Sequence, residues 1–390
     1  MAFRKRNIAL SHSGDAQHAS PTVPTIQPAH VPGVRPSPID GRPTTSTGAP
    51  SLDAILAGHS GLPLGNSLFL GESGTTDYAG TLLRFYAAEG VVQGHKVHVV
   101  GVGEHWGREL PGLAEDRDEA RRGKADKEKM KIAWRYEGLG SHGESRASPS
   151  PIRTGATQAD EASTVFCHTF DLAKRLALPV GAVINYIPTN RSTSSSPFVP
   201  ILQNVQKQLA SSPVASIHRI VIPSLLSPAL YPSAASQPQH VLQFLHGLRA
   251  LLRQYPTRLT VISTLPLTLY PRSTGLVRWM EMLSDGVFEL SPFPYDPQQS
   301  LSTSGAATQG EERPQGMLAV HKLPVFHEKG GGGGGAEGLG EDLAFTVSRR
   351  KFHIAKFSLP PVDGDQEAQQ AAVQPTQSES KLPSKADLEF

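Results

Sequence analysis

Short apolar runs alternate with longer stretches of helical spacing through the middle of the chain. Residues 67–70 and 96–102 are runs typical of buried strands, and residues 76–89 between them repeat apolar positions at helical spacing. Gly90 is a predicted helix stop. A strand, a helix and a strand within about 35 residues predict a βαβ unit.

The same alternation continues toward the C-terminus. The pattern predicts helices at 201–209, 239–255 and 276–283, and strands at 217–226, 258–265, 286–290, 316–325 and 344–357. Strands that alternate with helices predict an α/β fold with a mainly parallel, twisted sheet flanked by helices. The last two predicted strands are separated by a loop and not by a helix, so we expect a C-terminal antiparallel strand pair.

Polar segments flank and interrupt the predicted core. Residues 1–42 and 362–390 lack apolar periodicity, so both are expected to be disordered tails around a domain at 43–361. Proline and glycine are abundant, at 33 and 37 residues, which agrees with long polar insertions. We expect disordered insertions near 114–129, 140–162, 296–315 and 328–341, the last with six consecutive glycines that indicate a flexible loop.

Overall charge and single residue types limit the possible chemistry. The formal net charge is +2, so composition neither favours nor excludes nucleic acid as a partner. The single Cys167 excludes an internal disulfide and fits a reducing compartment. The sequence contains no uninterrupted run of about 18 apolar residues, so no membrane span is predicted. His95 and His98, three residues apart on a predicted strand, point to opposite faces, which argues against a shared metal site.

The first strand-to-helix turn is where many α/β proteins hold phosphate, in the pattern G-x-x-x-x-G-K-[ST]. Gly71 matches the first glycine, but Thr76 replaces the second glycine, Asp77 replaces the lysine, and Tyr78 replaces the hydroxyl residue that binds magnesium. A register that uses Gly74 as the second glycine puts a threonine at the lysine position. The turn is therefore a degenerate phosphate loop.

The aspartate reverses the charge at the position that contacts the phosphates. Replacing lysine by aspartate turns an attraction to the phosphates into a repulsion. The interaction energy whose sign changes is roughly 4 kcal/mol for two unit charges about 4 Å apart at an effective dielectric of about 20. The later strand that should end in a magnesium-binding aspartate ends in Pro223-Ser224. We therefore expect no bound nucleotide, no other cofactor and no metal. Glu104, after the second strand, is either a relic of a water-activating glutamate or an ordinary surface carboxylate.

Several sequence blocks carry a family resemblance. Residues 47–56 (TGAPSLDAIL) and 61–65 (GLPLG) resemble the segment before the phosphate loop in RecA- and KaiC-like proteins. An ordered set of blocks more specifically resembles the Elongator complex protein 4 family, at residues 3–6, 47–56, 82–90, 130–136, 170–175, 318–324 and 342–361. The set spans nearly all of the predicted core.

The resemblance implies a RecA-like fold and a non-catalytic role. It implies a hetero-hexameric ring formed with the fifth and sixth Elongator subunits, two copies of each, which joins the catalytic Elongator subunits. The ring binds tRNA and supports modification of the wobble uridine, in the cytoplasm and the nucleus. The lost lysine agrees with the family pattern, and no catalytic residue is implied for this subunit.

Two other functions remain open at this point: a degenerate RecA-type ATPase completed by a neighbouring subunit, and a recombination accessory protein that binds single-stranded DNA. RNA or subunit contacts are predicted for Arg349, Arg350 and Lys351, of which the first and third share a face of the predicted strand. Protection of an edge strand by charge is the equal alternative. Lys174 and Arg175 follow a predicted short helical segment, and for them solvation or a subunit contact is favoured over RNA.

Overall fold

The computed structural model describes residues 31–56, 58–114, 165–189, 196–294, 314–324, 342–348 and 350–357. These residues belong to one compact unit that begins at Val31. Within the described ranges, none of the helices is long and apolar enough to cross a membrane.

The chain alternates strands and helices, as the sequence pattern predicts. The strands are β1 (Val34–Pro36), β2 (Pro43–Thr45), β3 (Leu62–Pro63), β4 (Ser67–Glu72), β5 (Lys96–Val100), β6 (Pro111–Leu113), β7 (Phe170–Arg175), β8 (Ile184–Ile187), β9 (His218–Ile222), β10 (Leu259–Pro266), β11 (Gly286–Pro292), β12 (Gly316–Lys322), β13 (Leu343–Val347) and β14 (Phe352–Lys356). The helices are α1 (Pro50–Ile55), α2 (Tyr78–Val92), α3 (Glu104–Gly107), α4 (Val199–Ser211), α5 (Pro238–Gln254) and α6 (Gly275–Leu283).

The main sheet has nine strands in the order β14-β13-β12-β11-β4-β10-β9-β5-β8. The strands from β11 to β8 are parallel to their neighbours, which confirms an α/β fold with a mainly parallel sheet. The predicted C-terminal antiparallel pair is confirmed by β12 and β13, and two further antiparallel pairings, β11–β12 and β13–β14, extend it. The predicted strand at 344–357 is in fact two antiparallel strands, the first ending at Val347 and the second beginning at Phe352.

Apolar side chains on the two faces of the sheet form two separate core clusters. The first contains Leu68 and Leu70 of β4 and packs against α1 and α2. The second contains Phe69 of the same strand and packs against α4, α5 and α6. This alternation is the period-two pattern of a strand covered on both sides. It also explains why every residue of β9 is buried, including His218 and Arg219.

Helix α2 extends past the predicted stop and ends at Val92. Gly90 lies inside the helix. A side chain would not fit at this position, because a Cβ there would lie 2.6 Å from Cδ of Arg219. The glycine therefore serves close packing and not helix termination. The prediction of a stop at this residue is wrong.

Two small sheets account for further differences from the predictions. β1, β2 and β3 form a three-stranded sheet, so ordered chain begins inside the segment predicted as a disordered tail to residue 42. β6 and β7 form an antiparallel pair, so Lys174 and Arg175 end a strand and do not follow a helix. The tail 362–390 and the predicted insertions lie outside the described residues, apart from Ala114, Pro314 and Gln315.

The guanidinium of Arg219 lies at the centre of the core, with the residue 0% exposed on β9. Its Nε donates to Nδ1 of His95 at 3.0 Å, and one terminal nitrogen donates to the backbone oxygens of Ser46 and Tyr86 at 2.9 and 3.0 Å. The other terminal nitrogen donates to Oγ1 of Thr45 at 2.7 Å. A single side chain thus joins β9, the N-terminal segment, helix α2 and the residue before β5.

A second buried group, the Asp53 carboxylate, holds the segment from Thr45 to Asp53 against the core. The Asp53 carboxylate accepts from Oγ of Ser46 at 2.5 Å, and from the amide and the hydroxyl of Thr47 at 2.8 and 2.6 Å. Burial raises the pKa of Asp53 to about 6, although these hydrogen bonds act in the opposite direction. Gly48, at φ +79°, lies so close to the backbone oxygen of Phe85 that a Cβ would clash.

His95 is held neutral by its two partners. The backbone oxygen of Pro32 can only accept, so Nε2 carries the proton, and Nδ1 accepts from Arg219. Burial, and secondly the charge of Arg219, lower the pKa of His95 to about 3. Burial likewise lowers the pKa values of His98 and His218 to about 4 and about 3.

We predict that these histidines make the fold sensitive to acid. A histidine that titrates near 6.5 when unfolded and near 3 when folded takes up a proton only on unfolding between those values. Stability is therefore complete above about pH 6.5 and falls as pH decreases toward about 3, by about 1.4 kcal/mol per pH unit for each such histidine. His95→Gln should lower the slope of the unfolding free energy against pH by about that amount between about pH 4 and 5.5. Denaturant titrations at several pH values measure it, and an unchanged slope would contradict the assignment.

Candidate functional site

The degenerate phosphate loop follows β4, the central strand of the main sheet. It connects β4, which pairs with β10 and β11, to the first turn of α2. Gly71 lies within β4, Gly74 and Thr76 lie in the loop, Asp77 is the N-cap of α2, and Tyr78 is its first residue. The sequence therefore located this turn correctly, and the structure shows what occupies it.

The carboxylate of Glu72 fills the position at the helix N-terminus where a phosphate would bind. It accepts from the amides of Tyr78 and Ala79 at 3.0 and 2.7 Å, and from Oγ1 of Thr76 at 2.6 Å. Amide donors at a helix N-terminus, aided by the helix dipole, form a general anion site. Here the anion belongs to the protein itself. Burial raises the pKa of Glu72, and the three hydrogen bonds oppose that shift.

The amides earlier in the loop are also bound internally. The amide of Ser73 donates to the backbone oxygen of Leu290 on β11 at 3.0 Å. The amide of Gly74 donates to Oγ1 of Thr268 at 2.9 Å, and that hydroxyl donates back to the Gly74 oxygen at 2.8 Å. Two N–H groups of the loop itself thus already have protein acceptors, in addition to the two at the start of α2.

The two residues at the lysine and magnesium positions make contacts of their own. Asp77 pairs with Arg84 at 3.0 Å, and Arg84 also pairs with Glu109 at 2.9 Å. The ring of Tyr78 lies 5.0 Å from the ring of Phe345 on β13. Both side chains therefore have structural partners in place of nucleotide ones.

The other candidate for phosphoryl-transfer chemistry is exposed. Glu104 begins α3 with its side chain 79% exposed, and its ion pair with Arg108 is 4.0 Å long. After β9, the amide of Ser224 donates to Oγ1 of Thr264 at 2.7 Å. No carboxylate stands at that strand end, where an active enzyme would have its magnesium-binding aspartate. Within the described ranges, no group of three or more metal-ligating side chains converges.

The structure brings most of the predicted basic residues together. The amide of Leu172 in β7 donates to the backbone oxygen of Arg350 at 3.0 Å, and Nε of Arg350 lies 4.0 Å from the Asp171 carboxylate, so the β13–β14 turn lies beside the first half of the strand whose last two residues are Lys174 and Arg175. We call Lys174, Arg175, Arg350 and Lys351 the basic cluster. Arg175 and the two turn residues are exposed. Arg349 lies outside the described residues.

The strand geometry predicted for these residues is wrong. The Ser348 amide donates to the Lys351 oxygen at 2.9 Å, and the Ser348 hydroxyl accepts from the amides of Arg350 and Lys351 at 3.3 and 3.0 Å. Arg350 and Lys351 lie between β13 and β14 and not on a strand, so the alternation of faces expected of a strand does not apply to them. Whether the cluster binds RNA or another subunit stays a prediction.

Sequence reasoning did not find the role of Glu72. A carboxylate at the end of a buried strand, five residues before a helix, is a signal for an internal anion at that helix. The same reasoning did not find Arg84 and Glu109, because their partners are set by the fold and not by a motif. His95 and His98 have different hydrogen-bond partners: His95 contacts Pro32 and Arg219, whereas His98 contacts His218 and Asn185.

Comparisons with known proteins give one consistent result. The family model described as PAXNEB protein matches residues 27–390. Elongator complex protein 4 of Schizosaccharomyces pombe is 34% identical over 363 residues, which cover 88% of this chain and 92% of that protein. The protein of that name from Saccharomyces cerevisiae is 28% identical over 377 residues, covering 87% and 78%. The one from Xenopus laevis is 31% identical over 370 residues, covering 85% and 83%.

We predict that Glu72→Gln destabilises the fold. The amide side chain places N–H donors where two backbone donors need an acceptor, so at least one bond is lost, at a cost of about 1–2 kcal/mol in the free energy of unfolding. Glu104→Gln removes the same charge from an exposed helix start and should change stability by less than about 0.5 kcal/mol. Urea unfolding of both variants measures the difference. Equal stability of the two variants would show that Glu72 does not hold the loop.

Proposed function

The chain belongs to the PAXNEB protein family, and from this membership we propose that it is the fourth subunit of an Elongator complex. In this proposal it is a non-catalytic, RecA-like subunit. It forms a hetero-hexameric ring with the fifth and sixth subunits, and the ring binds tRNA while the catalytic Elongator subunits modify the wobble uridine. The complex then acts where tRNA is present, in the cytoplasm and the nucleus.

The single observation that best supports a non-catalytic role is the Glu72 carboxylate at the N-terminus of α2. It accepts from the amides of Tyr78 and Ala79, and a phosphate would have to displace it. Asp77 adds a second negative charge where an active loop has a lysine. A triphosphate at this loop would be repelled by two carboxylates and would find the amides of Tyr78 and Ala79 already bonded. The loop is therefore suited to a structural role and not to nucleotide binding.

The basic cluster supports the RNA-binding part of the proposal. Arg350 and Lys351 stand on an exposed turn that contacts the first half of β7, and Lys174 and Arg175 end the same strand. Cationic side chains gathered from two distant parts of a chain form the local patch that phosphate backbones bind. The near-neutral overall charge does not oppose this, because attraction at contact range depends on the local patch.

The first prediction of this proposal concerns assembly. When this chain is co-expressed with the fifth and sixth Elongator subunits, native mass spectrometry should detect one assembly with two copies of each. A chain that stays apart from both partners would contradict the proposed ring. In the same assembly, magnesium–ATP should not bind at the Glu72 loop; tight binding there would overturn the non-catalytic assignment.

The second prediction concerns RNA. Arg350→Gln combined with Lys351→Gln should weaken tRNA binding by the assembled ring roughly tenfold. The slope of log Kd against log salt should fall by about 0.7–0.9 for each lost phosphate contact. Lys207→Gln, an exposed lysine on α4, is the matched control and should change neither quantity. Fluorescence anisotropy at several salt concentrations measures both. A preference of the ring for single-stranded DNA over tRNA would overturn the RNA assignment.

A further inference from the structure

We propose that Asp77 and Tyr78 now act as positioning residues for the basic cluster. These two residues stand at the lysine and magnesium-ligand positions of the phosphate loop. One holds the β7 half of the cluster, and the other holds the β13–β14 turn. The inference rests on the proposed RNA-binding function and deepens it, because it explains what the degenerate loop does in place of binding nucleotide.

Asp77 is available for this role because Glu72 has taken over the capping of α2. An aspartate at an N-cap position normally accepts from the first helical amides. Within the described part of the chain, Asp77 makes no such capping bond, and the amides of Tyr78 and Ala79 donate to Glu72. The Asp77 carboxylate faces Arg84 instead, at 3.0 Å.

A series of contacts, which we call the Asp77 arm, connects Asp77 to β7 in three steps. Arg84, whose side chain is only 20% exposed, bridges from Asp77 to Glu109 at 2.9 Å. The backbone oxygen of Glu109 accepts from the guanidinium of Arg175 at 3.2 Å. The amide of Leu176 donates to the oxygen of Leu110 at 2.9 Å, which fixes the same strand end. Asp77 thus orients Arg84, Arg84 fixes the chain before β6, and that chain fixes Arg175.

The Tyr78 arm leads to the turn of the C-terminal hairpin. The Tyr78 ring packs against Phe345 with centroids 5.0 Å apart, and Phe345 stacks on Phe352 at 5.6 Å. Those two phenylalanines lie on β13 and β14, on either side of the turn that carries Arg350 and Lys351. A serine or threonine at position 78 could hold magnesium but could not reach Phe345 as an aromatic partner.

Both arms start from adjacent residues and end on the two halves of one cluster. The backbone bond from the Leu172 amide to the Arg350 oxygen joins those halves directly. Loss of either arm should therefore loosen the cluster without removing any of its charges. This outcome differs from that of neutralising Arg350 or Lys351.

The test uses the ring assembled with its two partner subunits and a labelled tRNA. Asp77→Asn should weaken tRNA binding roughly threefold, the size expected for a partly exposed ion pair in a network. Tyr78→Ser should weaken it roughly fivefold, the size expected for one aromatic pair. The conservative variants Asp77→Glu and Tyr78→Phe should bind as the unaltered chain does. Glu104→Gln, an exposed acid with the same charge change, is the matched control.

Two further measurements separate positioning from general damage. Arg84→Gln should weaken tRNA binding, and combining it with Asp77→Asn should weaken binding no further, because Asp77 acts on the cluster only through Arg84. Thermal unfolding of each variant should stay within a few degrees of the unaltered chain, so a loss of affinity reflects the cluster.

The possible outcomes distinguish the two proposals. If Arg350→Gln with Lys351→Gln leaves tRNA affinity unchanged, the cluster is not the RNA site and the proposed function fails. If that variant weakens binding while Asp77→Asn and Tyr78→Ser do not, the proposed function stands and the positioning role is overturned. Weakening by all three, with Asp77→Asn adding no further loss to Arg84→Gln, supports both.

Discussion

The fold depends on one guanidinium buried in the middle of the sheet. Arg219 lies on β9, where every residue is buried, so its charge needs several partners at once. It obtains them from Thr45, Ser46, Tyr86 and His95. Burial lowers the pKa of Arg219, and the charges of Tyr86, Glu89 and Asp53 oppose that shift. Because removing one partner would leave buried polar atoms unpaired, this arginine ties the N-terminal segment to the sheet.

The same constraint holds helix α2 at its middle and at its N-terminus. In the middle, the Tyr86 oxygen accepts from Arg219, and Gly48 lies against the Phe85 oxygen. At the N-terminus, the amides of Tyr78 and Ala79 donate to Glu72. A helix held at these two places cannot shift to admit a ligand at its first turn without breaking buried contacts. The closed phosphate loop is therefore a consequence of the core as well as of its own sequence.

A phosphate site can lose its ligand and keep its architecture when an internal group takes the ligand's place. The Glu72 carboxylate satisfies the orphan amides that every helix start presents, which a plain loss of lysine would leave unpaired. That replacement leaves Asp77 and Tyr78 free to contact Arg84 and Phe345. The turn that would hold nucleotide in an enzyme thus becomes a junction between helix α2, the β6–β7 pair and the C-terminal hairpin.

The sequence by itself determined the features that are local. Period-two and helical spacing placed the strands and helices of the α/β core, since burial of one face imposes those periods, and the reversed charge at Asp77 followed from a motif of eight residues. Tertiary structure alone decided which distant groups meet. The partners of Arg219, the meeting of β7 with the turn at Arg350, and the three antiparallel pairings at the C-terminus depend on chain segments more than a hundred residues apart or on hydrogen bonds between strands. Such contacts leave no periodic trace in the sequence, because a hydrogen-bond partner is selected by position in space and not by spacing along the chain.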